Sequence, residues 1–134
     1  MVPQAREPRP EYASSKSVSA GALRTLFRIA EAWQLGNREL MKLLGSPPRS
    51  TFYKWKQGEP VTLPHDVLER ISYIFGIYSA LQVLLPKPEA ADAWIKKPNS
   101  APLFGGKSAL DRMLSGQVAD LYVVRQYLDA QRGG

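Results

Sequence analysis

The sequence predicts an all-α fold of about seven helices. Apolar residues recur at three- and four-residue spacing in several stretches, whereas no segment alternates convincingly between apolar and polar residues. Turns rich in glycine and proline separate these stretches, as expected between helices. The chain has 134 residues, 44% of them hydrophobic and 22% charged, which is typical of one globular domain or of two small units that share a core.

The N-terminal third divides into an arm and a first helix. Residues 1–17 are rich in proline, arginine, serine and glutamate, and we predict a flexible arm because they offer little apolar surface to bury. Ser19 is the predicted cap of a helix that runs through Trp33. Its inward face is predicted to hold Leu23, Leu26, Phe27 and Ala30.

Two short helices follow, joined by a tight turn. Asn37 is predicted to cap Arg38–Leu44, and a second helix is predicted over Arg49–Gln57, ending at Gly58. The connecting sequence Gly-Ser-Pro-Pro at 45–48 breaks the first helix because proline cannot continue it.

The strongest helical pattern lies in the second half of the chain. Pro64 opens a helix to about Leu85 that is apolar nearly all round, which predicts a buried central helix. Three shorter helices are predicted after it: Glu89–Ile95 with Pro88 at its first position, Ala109–Leu114 with Ser108 as its cap, and Gln117–Gln131. The predicted divisions are an arm at 1–17, a helix-turn-helix region at 18–63 and a C-terminal region at 64–134.

The composition argues against an enzyme, a metalloprotein or a membrane protein. The chain has one histidine, His65, and no cysteine, and its acidic residues show no metal-binding spacing. The sequence Gly-Gly-Lys-Ser at 105–108 resembles the end of a phosphate loop but lacks the first glycine and the preceding strand, so we interpret it as a turn. No secretory signal and no apolar run of about 20 residues is present, which indicates a cytoplasmic protein with no cofactor and no membrane partner.

Basic residues are concentrated in the predicted helix-turn-helix region. Residues 17–60 hold seven basic and three acidic side chains, against a net charge of +6 for the whole chain. On a helical wheel Phe52 and Trp55 mark the buried side of Arg49–Gln57, and polar or basic residues lie opposite. Such a helix suits the major groove of DNA. The predicted DNA-binding residues are Arg38, Arg49, Ser50, Thr51, Tyr53, Lys54, Lys56 and Gln57.

Two surfaces for protein partners are also predicted. Tyr122 and Tyr127 lie off the inward stripe of the last helix, where they either form an interface or complete the core. The central helix has more apolar surface than a small chain readily covers, so we expect at least a homodimer, with Tyr73, Ile77, Leu84 or neighbouring residues at the contact. Two-fold symmetry would match a palindromic operator.

Residues 18–134 resemble the Xre/MbcA/ParS antitoxins, the partners of RES-domain toxins. The resemblance is carried by 50–58 (STFYKWKQG), Pro64, 68–70 (LER), Trp94, 98–99 (PN), 103–111 (LFGGKSALD) and 124–129 (VRQYLD). The series from Trp94 to Asp111 is fairly specific because its spacing is not a general helical pattern. Many members have a proline near the position of Ala109.

The resemblance implies an antitoxin with two binding activities. Its N-terminal part would be an Xre-like helix-turn-helix that binds operator DNA, and its C-terminal part would bind a toxin that consumes NAD or ADP-ribosylates a target. The antitoxin would block the active site of the toxin, often with its extreme C-terminus. The implied toxin-binding residues are Trp94, Asn99, Phe104, Lys107, Tyr122, Arg125, Tyr127, Arg132, Gly133 and Gly134.

Two alternatives remain open from the sequence. One is a stand-alone transcriptional repressor whose C-terminal half only oligomerises. The other is an adaptor protein whose helix-turn-helix has lost DNA binding.

Overall fold

Seven α-helices form most of the computed structural model, which describes residues 10–133. A 3-10 turn at Trp94–Lys96 follows the fifth helix, and within the described range the extended pairing is limited to an isolated bridge between Pro98 and Ser108. The predicted all-α class is confirmed. The helices are α1 (Pro10–Ala32), α2 (Asn37–Leu43), α3 (Arg49–Gln57), α4 (His65–Leu84), α5 (Pro88–Ala93), α6 (Ala109–Met113) and α7 (Val118–Gln131).

Helix α1 begins at Pro10, earlier than the predicted start at Ser19. Proline suits a first helical position because it has no N–H to leave unpaired, and neither glycine nor proline lies between Pro10 and Ser19 to stop the helix. Ser19 is fully buried inside α1, where its Oγ accepts a hydrogen bond of 2.9 Å from the Leu63 N–H. The predicted cap is therefore wrong: the Ser19 hydroxyl fastens the loop before α4. The first nine residues of the predicted arm lie outside the described residues.

The N-cap of α2 is Gly36 and not the predicted Asn37. Gly36 has extended backbone angles, and its N–H donates to Oε1 of Glu39 at 3.0 Å, which satisfies one donor at this helix end. Asn37 becomes the first residue of the helix, and its side-chain amide is free to reach α3. Helix α3 has the predicted bounds and ends at Gly58.

Helix α4 lies at the centre of the fold and packs against α1, α5 and α7. Its buried residues include Ile71, Ile74 and Ile77, which confirms the predicted central helix. Because Ile77 is 0% exposed, it cannot form the predicted dimer contact. By length and composition α4 is apolar enough to cross a membrane, a test that the core helix of a water-soluble protein also passes.

Of the C-terminal helices, α5 and α7 pack on α4, whereas α6 packs on α7 and on the 3-10 turn. Helix α5 begins at Pro88 as predicted. It ends at Ala93 and not at the predicted Ile95, because the chain tightens there into the 3-10 turn Trp94–Lys96. Ser108 caps α6 as predicted, since its Oγ accepts from the Asp111 N–H at 3.0 Å.

Candidate nucleic-acid and partner-binding surfaces

The orientation of α3 is fixed by two aromatic side chains on its inner side. Phe52 is 0% exposed and Trp55 is 4% exposed, and both join the hydrophobic core. The Phe52 ring meets the Phe27 ring of α1 edge-on, with 6.1 Å between centroids. Burial of this side turns the opposite side of α3 to solvent, as the helical wheel predicts.

Seven of the predicted DNA-binding residues lie on α3, and Arg38 lies on α2. Thr51 and Tyr53 are half-buried, and the other six are exposed. Arg38 and Arg49 face each other across a groove of about 490 Å³ between α2 and α3, and Lys42 lines the same groove. We call the surface that these predicted residues span the α2–α3 face: Arg38, Arg49, Ser50, Thr51, Tyr53, Lys54, Lys56 and Gln57.

Asn37 ties α2 to α3 on this face. Its Nδ2 donates to the Tyr53 hydroxyl at 3.3 Å, and its Oδ1 accepts from Lys56 Nζ at 2.8 Å. Hydrogen bonding from Arg49, and next from Asn37, lowers the pKa of the Tyr53 phenol below its usual value of 10.0. Sequence reasoning missed Asn37 as part of this face because its partners lie 16 and 19 residues away and no local pattern links them.

Arg70 of α4 connects the helix-turn-helix to the start of α7. Its Nε lies 3.0 Å from Asp66 Oδ2, and a terminal guanidinium nitrogen donates to the Gly116 carbonyl at 3.0 Å. The same guanidinium covers Gly45 in the turn between α2 and α3, where a β-carbon would come within 3.0 Å of it. Gly45 also has a φ of 87°, a backbone conformation that favours glycine. Both this conformation and the close approach of Arg70 therefore favour glycine at this position.

Three aromatic rings bring together distant parts of the C-terminal region. Trp94 stacks on Tyr127 of α7 with 6.4 Å between centroids, and Phe104 meets Tyr127 edge-on at 5.2 Å. Phe104 is 5% exposed, so its side chain lies beneath the surface and packs against the other two rings from inside the fold. Trp94 and Tyr127 are half-buried and keep one side in solvent.

The loop before α6 is held by its own backbone. The N–H groups of Gly105, Gly106 and Lys107 donate to the carbonyls of Ala101, Asn99 and Phe104 at 3.0–3.2 Å. Because these donors are already used, they do not form a cradle for phosphate, in line with the predicted turn. Asn99 also accepts the Ala101 N–H at 2.9 Å through Oδ1, and the Lys107 side chain remains exposed.

The side of α7 that borders α4 presents an aromatic and charged edge. Tyr122 is 44% exposed and packs edge-on against Tyr73 of α4, with 5.6 Å between ring centroids. Further along, the Arg125 side chain lies over Gly76, where a β-carbon would overlap its guanidinium. Asp129 pairs with Arg125 at 3.6 Å and with Arg132 at 3.8 Å.

The predicted toxin-binding residues therefore fall into two groups within the described chain. Tyr122 and Arg125 lie along the border between α7 and α4, and Arg132 and the exposed Gly133 continue this line past the end of α7; we call it the α7 edge. Around the loop before α6 lie Trp94, Asn99, Phe104, Lys107 and Tyr127. Gly134 lies outside the described residues.

The architecture defines a helix-turn-helix protein that carries a second helical region on a shared central helix. Comparison with known families agrees with this class. Residues 14–76 match the antitoxin Xre-like helix-turn-helix domain, and residues 80–134 match the antitoxin Xre/MbcA/ParS C-terminal toxin-binding domain.

A relative from Sinorhizobium fredii covers most of the chain. It is 55% identical over 112 residues, which is 84% of this chain and 84% of the relative, and it is named only as uncharacterized protein y4oB. The chain belongs to the Xre/MbcA/ParS antitoxin family and is an antitoxin with a helix-turn-helix domain and a toxin-binding domain.

Proposed function

We propose that this antitoxin neutralises a RES-domain toxin, one that consumes NAD or ADP-ribosylates a target, by covering its active site. The observation that carries the proposal is the α7 edge within the matched toxin-binding domain. There an exposed aromatic, Tyr122, lies one helical turn before Arg125, and aromatics with arginine are the residues most enriched in protein interfaces. Binding alone suffices for inhibition, since an occupied pocket excludes the substrate of the toxin.

The chain end supplies a candidate plug for that pocket. Helix α7 ends at Gln131, and Gly133 follows with a φ of 92°, a conformation that favours glycine. In our proposal the slim backbone of residues 132–134 enters the pocket. Arg132 would pair with a carboxylate there.

Removal of Arg132–Gly134 tests the plug. We expect the truncated protein to bind the toxin with nearly unchanged affinity, because Tyr122 and the ring cluster remain, but to leave part of the toxin activity. The measurement is toxin turnover at saturating antitoxin, with the exposed-residue variant Gln131→Ala as the matched control. Full inhibition by the truncated protein would contradict the plug and would indicate that the region between Trp94 and Asp111 covers the active site of the toxin instead.

We also propose that the α2–α3 face binds operator DNA and represses the operon of the antitoxin. Lys54 is exposed on α3 and suits a phosphate contact, whereas Arg49 and Gln57 suit base edges. Lys54→Ala should weaken binding to all sequences and lower the salt slope by about one unit. Lys97→Ala, an exposed lysine in another part of the chain, is the control. Unchanged operator binding by both Lys54→Ala and Arg49→Ala would contradict the groove assignment.

We propose further that the antitoxin acts in the cytoplasm as a homodimer. Two-fold symmetry places two α3 helices on a palindromic operator. Tyr73 and Leu84 are half-buried and remain candidates for the contact after the exclusion of Ile77. Sedimentation of the protein without toxin should give a dimer at tens of micromolar, and a monomer would contradict the proposal. Failure to bind a toxin, with operator binding retained, would favour a stand-alone repressor.

A further inference from the structure

A groove of about 520 Å³ runs along the exposed side of α4, between α1 and α7, which both pack on α4. Its floor is the stretch of α4 from Leu68 to Ser79, which spans about 16 Å, or three helical turns. Val18 and Ala22 of α1 form one wall, and charged residues near the end of α7 form the other. Residues from both matched domains therefore line the groove.

The floor and the α1 wall offer apolar surface to solvent. Val18 is 55% exposed, although it is a large hydrophobic residue. Leu68 and Phe75 pack on the core with one side and are only half-buried. Ser72 and Ser79 are small and exposed beside them, so a helix laid along the floor can approach α4 closely. An apolar floor three turns long is the shape that receives the apolar face of a partner helix.

The α7 wall is positively charged. Arg125 and Arg132 line it, and the Arg125 guanidinium reaches over Gly76 onto the floor. Among the described residues that line the groove, one carboxylate is present, that of Asp129. It lies 3.6 Å from Arg125 and 3.8 Å from Arg132, so two guanidinium groups share it and the wall keeps an excess of positive charge. Charge complementarity therefore calls for acidic side chains on the occupant.

Shape and charge both disfavour this chain itself as the occupant. A second copy related by two-fold symmetry would present the same recessed floor, and two recessed floors cannot fill each other. Residues 1–9 carry two arginines and one glutamate, an excess of the same sign as that of the α7 wall.

We propose that the groove binds an amphipathic, acidic helix of a protein partner. The apolar face of that helix packs on Leu68 and Phe75 beside Val18, and its carboxylates pair with Arg125 and Arg132. The site extends the α7 edge across α4 to α1. The inference rests on the proposed function only in naming the toxin as the source of the helix.

A synthetic helix tests the groove without any toxin. The probe is an acetylated 15-residue peptide with leucine along one helical face and glutamate on both flanks, and its match carries glutamine in place of every glutamate. In ¹H–¹⁵N spectra of the full chain, the amide resonances of Ser72 and Ser79 should shift saturably with the acidic peptide, and the glutamine match should bind at least about threefold more weakly. Unmoved resonances at both serines, or equal binding of the two peptides, would overturn the site.

Two exposed valines distinguish the groove from the rest of the surface. Val18→Asp should weaken binding of the acidic peptide about tenfold, since it removes an apolar contact and its carboxylate repels the glutamates. Val83→Asp is the matched control and should leave binding unchanged, because Val83 is exposed on α4 outside the groove. On the floor, Ser79→Glu should weaken binding and Ser79→Lys should not. Equal effects of the two valine variants, or of the two Ser79 variants, would contradict the proposal.

The valine variants also identify the source of the helix. If the toxin supplies it, Val18→Asp should lower the affinity for the toxin about tenfold, whereas Val83→Asp should not change it. Undiminished toxin affinity, with a positive peptide result, would overturn the toxin as the source. Conversion of a dimer to a monomer by Val18→Asp, in sedimentation without toxin, would show that a second copy covers the groove and would overturn the proposal. Failure of the wild-type protein to bind a toxin would overturn the proposed function and leave the peptide result standing.

Discussion

Arg70 is the residue whose loss should destabilise the fold most clearly through polar contacts. Arg70→Ala removes a charged hydrogen bond to the Gly116 carbonyl, and such bonds contribute about 1.5–3 kcal/mol. It also removes the ion pair with Asp66, which adds at most about 1 kcal/mol because that carboxylate is 59% exposed. The free energy of unfolding should therefore fall by about 2–4 kcal/mol, which lowers the melting temperature by about 8–16 °C for a chain of this size.

Urea and thermal unfolding measure this loss. Arg70→Lys keeps the charge but cannot make both contacts at once, so we expect an intermediate loss. Arg28→Ala, at an exposed position of α1, is the control and should change stability by less than about 0.5 kcal/mol. A similarly small change in Arg70→Ala would refute the assignment of Arg70 as the link between the helix-turn-helix and α7.

Two further predictions follow from single contacts. Ser19→Ala leaves the buried Leu63 N–H unpaired and should lower the free energy of unfolding by about 1–3 kcal/mol in urea denaturation, whereas the same change at an exposed serine should have little effect. The Tyr53 phenol should ionise at lower pH than that of Tyr73, whose pKa is raised by its hydrogen bond to a neighbouring carboxylate, in an NMR titration of the rings. Because the folded pKa lies below the unfolded value near 10, ionised Tyr53 stabilises the fold at pH values above about 10. This stabilisation is lost as the pH falls through the folded pKa. Asn37→Ala should raise the Tyr53 pKa, and an unchanged value would contradict the hydrogen bond.

Local patterns were sufficient to predict most helices. The spacing of Phe52 and Trp55 fixes which side of α3 is buried, and Ser108 caps α6 because its cap needs only residues within one turn. Proline and glycine mark helix ends through their own backbone preferences, as Pro88 and Gly58 do.

Contacts between distant residues could not be read from those patterns. Ser19 has the residue type of a cap, but its hydroxyl is taken by Leu63, 44 residues later, inside a helix that continues past it. Arg70 looks like one charge on a helix, and only the fold brings it to a carbonyl 46 residues away. Ile77 belongs to an apolar face that could have met a second chain, yet it is completely buried within this one.

Direct binding to the cognate toxin tests the central claim most directly. The measurement is titration of this protein into a purified candidate RES-domain toxin, with complex formation and toxin activity followed together. We predict a tight complex of fixed stoichiometry and loss of toxin activity in step with complex formation. Toxin activity that persists at saturating antitoxin, or the absence of any complex, would contradict the claim that this antitoxin neutralises a RES-type toxin by covering its active site.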